Sequence, residues 1–303
     1  MCLAHLQACA PLHPISYSPI YNKLGINGNV LMRATADTRA AAVAGLFYPG
    51  DAVALARDVQ TLLAAAKPVS PDGAPKALIV PHAGYVYSGP VTATAYAQLR
   101  PLRGKIRRVV LLGPVHRVPV RGLALPGTHA FETPLGRIPV DRDAINRIVT
   151  LRQVTTSPAA HAHEHSLEVQ LPFLQTVLGD FRLVPLAVGD ATADDVAEVI
   201  EALWGGPETL FVVSSDLSHY LPYRAAQQID GSTCAAIARL QSLDNQKQAC
   251  GATPVNGLLL AARHHRLRPH LLDLRNSGDT AGDRERVVGY AAFAFTEESG
   301  HAH

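Results

Sequence analysis

Three histidines follow apolar runs at similar offsets. "KALIV" (76–80) leads into Pro81, His82 and Gly84, "RRVVLL" (107–112) into Gly113, Pro114 and His116, and "TLFVV" (209–213) into Ser214, Ser215, Asp216, Ser218 and His219. A fourth run, "FRLVPLAV" (181–188), ends in Gly189 and Asp190. A lone histidine after a strand is ordinarily a loop residue bonded to nearby backbone. Three of them, flanked by glycine and proline that fix unusual backbone paths, point to a shared site. Neutral imidazole is the commonest protein ligand for transition metals, and two imidazoles with one anionic ligand leave coordination positions open.

The third ligand could be Asp216 or Cys250. Cys250 precedes "GATPVNGLLLAA", so it sits just ahead of a helix start, where backbone amides and the helix dipole favour a thiolate. Gly251 would allow close backbone approach there. Cys234, inside "GSTCAAIARL", reads as a helix core residue. The densest histidine tract, "HAHEHSLEVQLPFL" (161–174), is not HExxH, because Glu164 is followed by His165, Ser166 and Leu167, with no histidine four residues after His163. It reads as a loop entering a helix over 167–178, with His165 and Glu168 as candidate supports for the ligands. His129, His264, His265, His270, His301 and His303 carry no spacing signal and are expected to be solvated.

Other chemistries fit less well. "SSDLSH" holds Ser, Asp and His too close in sequence for a hydrolase triad, and no GxSxG elbow exists. Neither a phosphate-binding GxxxxGK[ST] nor a GxGxxG turn follows any strand, which argues against nucleotide cofactors. A net charge of +2 from 27 basic and 25 acidic residues gives no electrostatic reason to bind nucleic acid or an anionic membrane. The four scattered cysteines form no CxxC pair, as expected in a reducing cytoplasm. No apolar run approaches the roughly 20 residues needed to span a bilayer. Residues 1–31 lack a basic n-region and a continuous apolar stretch, and read as a disordered N-terminal extension to a single domain over 32–303.

The elements that must position these residues alternate. Helical spacing marks 51–66, 89–99 (with Pro90 in the first turn), 144–150, 192–204 and 253–265. Dense apolar runs mark strands at 76–80, 107–112, 181–188, 209–215 and 286–295. With 48% hydrophobic residues the chain can fill a large core. The alternation predicts a single layered α/β domain with a largely parallel central sheet flanked by helices. In such sheets ligands gather beyond the carboxyl ends of the strands, which is where the three histidines fall.

The blocks "AGLFYPGD" (44–51), "VPHAGYVYSG" (80–89), "LLGPVHR" (111–117), "EHSLEVQLPFL" (164–174), "VVSSDLSHY" (212–220) and "CGATPVNGLL" (250–259) resemble, in order and interval, the Memo family. In bacteria this family is also called AmmeMemoRadiSam system protein B. The resemblance spans roughly residues 36–296. It implies a fold like the class III extradiol ring-cleaving dioxygenases and a centre for Fe(II) or copper held by His82, His116 and Cys250. It implies His219 as acid/base with Asp216 close by, and so a redox or dioxygenase-like enzyme. The rival reading is a non-enzymatic binding module whose cleft takes a small molecule, peptide or partner protein. The family name also implies a functional link to AMMECR-type and radical SAM proteins. This chain departs from the family pattern at Val115 and Arg117, where GPSHH is frequent, and at Tyr220, where tryptophan is frequent.

Overall fold

A computed structural model describes residues 37–66, 73–244 and 246–297. The expectation for residues 1–31 falls outside them. In chain order the elements are β1 (Thr38–Arg39), α1 (Ala52–Ala65), β2 (Pro75–Val80), α2 (Tyr85–Ala97), β3 (Arg108–Pro114), β4 (Leu123–Leu125), β5 (Ala130–Thr133) and β6 (Gly136–Pro139). Then come α3 (Arg142–Ile148), β7 (Val154–Thr156), α4 (Pro158–Ala162), α5 (Leu171–Leu178), β8 (Arg182–Val188), α6 (Ala193–Leu203) and β9 (Thr209–Ser214). β10 (His219–Leu221), α7 (Tyr223–Ala238), α8 (Ala252–His264), β11 (Arg268–Asn276) and β12 (Val287–Thr296) complete the order.

Among the described residues nine strands form one sheet, ordered β10-β12-β2-β9-β3-β8-β4-β7, with β11 also paired to β12. β1, β5 and β6 form a separate small sheet. The sheet is mixed rather than largely parallel. Only β2, β9, β3 and β8 make a continuous parallel centre, while β12 joins β2 antiparallel and β4 joins β8 antiparallel. The reason lies in β11, whose charged and half-exposed residues hide it from a search for apolar runs. It pairs antiparallel with β12 along most of its length and turns that side of the sheet around.

The parallel centre is the part that places chemistry. Every residue of β2 and β9 is buried, as are six of the seven in β3 and in β8. Each fully buried Val, Leu or Ile contributes roughly 1.5–3 kcal/mol, so these strand ends are held by a large apolar core. Register aligns Val80 with Ser214 and Leu112 with Val213, which brings the carboxyl ends of β2, β9 and β3 to one edge.

Two helix boundaries differ from expectation. α2 begins at Tyr85, directly after Gly84, so Pro90 lies inside the helix rather than in its first turn. The helix is buried nearly all round, and packing outweighs the backbone bond that Pro90 cannot make. The segment expected as a helix over 167–178 starts with a 3₁₀ turn at Glu168–Gln170 before α5.

Candidate metal centre

His82 stands two residues beyond β2 and is 2% exposed. Its backbone N–H donates to Asp216 Oδ1 (2.7 Å), and its ring Nδ1 lies 2.9 Å from Ser214 Oγ. Ser214 Oγ gives its single proton to the Ser166 carbonyl (2.6 Å) and accepts from Gln170 Nε2 (3.0 Å). It can therefore only accept from His82, which fixes the proton on His82 Nδ1 and leaves the Nε2 lone pair bare. That Nε2 lies 3.2 Å from Cys250 Sγ.

His116 follows β3 by two residues, and its side chain is 19% exposed. Glu164 takes both its backbone N–H (2.6 Å) and ring Nδ1 (2.9 Å). Glu164 also accepts from the N–H groups of His165 and Ser166, each at 2.9 Å. Burial opposes the charge on Glu164, but the His116 bond and these donors outweigh it and hold the carboxyl well below its usual range. An ionised carboxylate can only accept, so His116 carries its proton on Nδ1 and likewise keeps Nε2 free.

Cys250 is half-buried, two residues before α8, with its N–H on the Asp216 carbonyl (3.2 Å). Glycine is required beside it. A Cβ on Gly251 would meet Ser215 Cβ at 2.8 Å and the Ser214 carbonyl at 2.9 Å. Gly113 is packed tightly too, though against side chains, since its Cβ would come within 2.8 Å of Ser166 Oγ and 3.0 Å of Leu167 Cδ2. One donor atom each from His82, His116 and Cys250 lies within 4.8 Å of the others. Donors sharing one ion at 2.0–2.3 Å stand about 3–4.5 Å apart, so the three fit a single transition metal with little movement.

The chain matches the model of the Memo-like protein family over residues 39–294. It belongs to the Memo family. Curated relatives agree. MEMO1 family proteins of Ignicoccus hospitalis (36% identical, 85% of this chain and 98% of that one) and Sulfolobus acidocaldarius (33%, 85% and 99%) align almost end to end. That of Aquifex aeolicus is 34% identical over 85% of this chain and 98% of its own. An uncharacterised Escherichia coli K12 protein of known structure superposes on 71% of the chain and 98% of its own, with TM-score 0.47 and 15% identity, too distant to carry an argument.

In this Memo-family centre the thiol departs from expectation. Burial, then the nearby Asp216 charge, pushes the Cys250 thiol far above its usual value, where proximity to a helix start suggested a thiolate. A bound metal would replace that proton, so the two statements would describe different states of one side chain. Burial also pushes Asp216 upward and His82 well downward, which keeps the His82 imidazole neutral.

His219 differs in its partner. Its Nδ1 lies 2.8 Å from the Leu217 carbonyl rather than on Asp216, which instead serves the His82 backbone. A carbonyl can only accept, so His219 also holds its proton on Nδ1 and keeps Nε2 free. His165, expected as a support, stacks on His116 (4.6 Å between ring centroids) and meets His82 edge-on (5.4 Å). Burial first, then the charges of His82 and His116, hold it down at about 3. Glu168 does not reach the ligands. It binds Arg39, the Ala42 and Val43 N–H groups and the Tyr48 hydroxyl, knitting the loop before α1 to the core.

Sequence reasoning missed Glu164, Ser214 and Gln170. The signal for Glu164 is its place in EHS, where a carboxylate can accept from the next two backbone N–H groups. Among the remaining histidines, His129 is exposed as expected. His270 instead bonds Thr296 Oγ1 (2.9 Å), and His265 is covered by Trp204. His301 and His303 lie outside the described residues.

Proposed function

We propose that this Memo-family chain is a transition-metal protein in which His82, His116 and Cys250 hold iron or copper, and that it performs redox or dioxygenase-like chemistry on a small ligand. The observation that carries the reading is the fixed tautomer of both imidazoles. Ser214 and Glu164 occupy the two Nδ1 positions, so the only ligand lone pairs left are on Nε2, and His82 Nε2 faces Cys250 Sγ. A soft thiolate beside two imidazoles selects copper, iron or zinc over magnesium or calcium.

Bound iron or copper would supply electron transfer and Lewis acidity at its open positions. The chain's own residues do the rest. Glu164 holds a negative charge against His116 and raises its donor strength. His219 Nε2 takes or gives a proton, while Asp216 anchors the His82 backbone. Histidine ligands beyond the ends of parallel strands are compatible with the class III extradiol dioxygenase fold, and that likeness is part of the proposal. So is the link to AMMECR-type and radical SAM proteins, which co-purification would test.

The deciding experiment is metal analysis of the full chain purified without added metal. About one iron or copper per chain, lost in His82→Ala and Cys250→Ser, supports the reading. A metal-free chain that still captures a peptide or protein partner supports the binding-module alternative.

A further inference from the structure

We infer a second divalent-metal site, formed by Glu201, His264 and His265 where the C-terminal ends of α6 and α8 meet. His264 Nδ1 lies 3.0 Å from Glu201 Oε1, and His265 Nε2 lies 3.1 and 2.9 Å from Oε1 and Oε2. One donor atom from each of the three falls within 4.8 Å of the others. Bonds of 2.0–2.2 Å to one ion would need donor separations of about 3–4 Å, a shift that side chains 71% (His264) and 34% (Glu201) exposed can make.

Electrostatics favours a cation at this point. Glu201 occupies the last turn of α6, which contains no basic residue, and a negative side chain there opposes the helix dipole. His264 closes α8, so a second negative helix end points the same way, its last turn also carrying Arg263, whose guanidinium donates to the Leu240 carbonyl (2.5 Å). The Nζ of Lys76 donates to the carbonyls of Trp204 (2.9 Å), Gly205 (3.4 Å) and Gly206 (2.7 Å). The carboxylate of Glu201 is met instead by the imidazoles of His264 and His265, the side chain that most often ligates transition metals.

The scaffold is rigid where the site needs it. Gly257 lets α8 press on α6, since a Cβ there would lie 2.4 Å from Val196 Cγ1. His265 stacks face to face on Trp204 at 3.6 Å and 5°, and Trp204 rests on Phe211 of β9. Two imidazoles and one carboxylate suit copper(II), nickel(II) or zinc rather than magnesium or calcium. The Memo centre contributes nothing here. Cys250 precedes the other end of α8, and 13 helical residues separate the two by about 20 Å.

Trp204 is the chain's one tryptophan and reports directly on this site. The full chain, stripped with chelator, is titrated with copper(II) while Trp204 emission is followed. Expected is saturable quenching that persists in a His82→Ala, Cys250→Ser background. In His264→Ala and Glu201→Gln, whose far-ultraviolet circular dichroism stays native, the apparent affinity falls at least about tenfold. Unchanged titration curves in both variants overturn the site, as does quenching that vanishes with His82 and Cys250. Should the doubly substituted background fail to fold, the His264→Ala comparison in the native chain decides alone.

Discussion

Glu164 and His116 share two hydrogen bonds, one to the ring Nδ1 at 2.9 Å and one to the backbone N–H at 2.6 Å. A single carboxylate thus fixes both the position of the ligand and the nitrogen it offers. Glu164→Gln keeps the shape but removes the charge, and an amide presents only one acceptor oxygen to donors that now share two. Metal affinity is expected to fall about 10–100-fold, with His116 still in place. Competition against a chromogenic chelator checks it; unchanged affinity would mean Glu164 only braces the loop.

Gly251→Ala tests the close approach of the chain to β9. The new methyl group would press on Ser215 Cβ and the Ser214 carbonyl, the latter being backbone that cannot turn aside. A stability loss of about 1–3 kcal/mol is expected, together with reduced metal occupancy because Cys250 is displaced. Denaturant melts and metal analysis measure the two effects separately. Native values of both would show that the loop yields.

His219→Ala should retain iron or copper as the native chain does and lose oxygen-consuming or redox turnover by about 10²–10⁴-fold, the range for removal of an acid/base group. Metal lost as completely as in His82→Ala would make His219 a ligand. Turnover kept in full would remove its proton role.

Acid should destabilise the chain partly through His161. Burial holds this histidine down at about 4, against an ordinary 6.5, with Nε2 bonded to the Ala124 carbonyl (2.8 Å) and Nδ1 buried without a partner among the described residues. The unfolded chain binds the proton first, so the contribution is complete above pH 6.5 and is lost as pH falls toward 4. A depression of that size corresponds to about 3 kcal/mol as an upper value. His161→Gln should flatten the decline in Tm between pH 6.5 and 4.5, and an unchanged slope would assign the acid sensitivity to other groups.

Much of the centre was legible because its parts carry local signals. His82 and His116 follow short apolar runs and stand among glycines and prolines, and Cys250 sits before a helix marked by its own periodicity. What was illegible depends on contacts between distant segments. Glu164 reaches His116 across 48 residues and Ser214 reaches His82 across 132, and neither spacing follows a period. His264 and His265 read as solvated because Glu201 meets them only when α6 packs on α8. The antiparallel flank was missed because β11 mixes Arg268, His270, Asp273, Arg275 and Asn276 among its three leucines, whereas buried parallel strands are continuously apolar.

Ser214 Oγ has one proton and three neighbours, and only one allocation satisfies them all. A half-turn of the His82 ring about its Cβ–Cγ bond would set a carbon against that oxygen and take the Nδ1–H donor away from its acceptor. The ring is thereby denied its second orientation, and the choice is made when β2 docks beside β9 rather than when an ion arrives. Capture of a metal at the proposed centre would then carry little ring-ordering entropy at His82, leaving dehydration of the ion and loss of the Cys250 proton as its remaining costs.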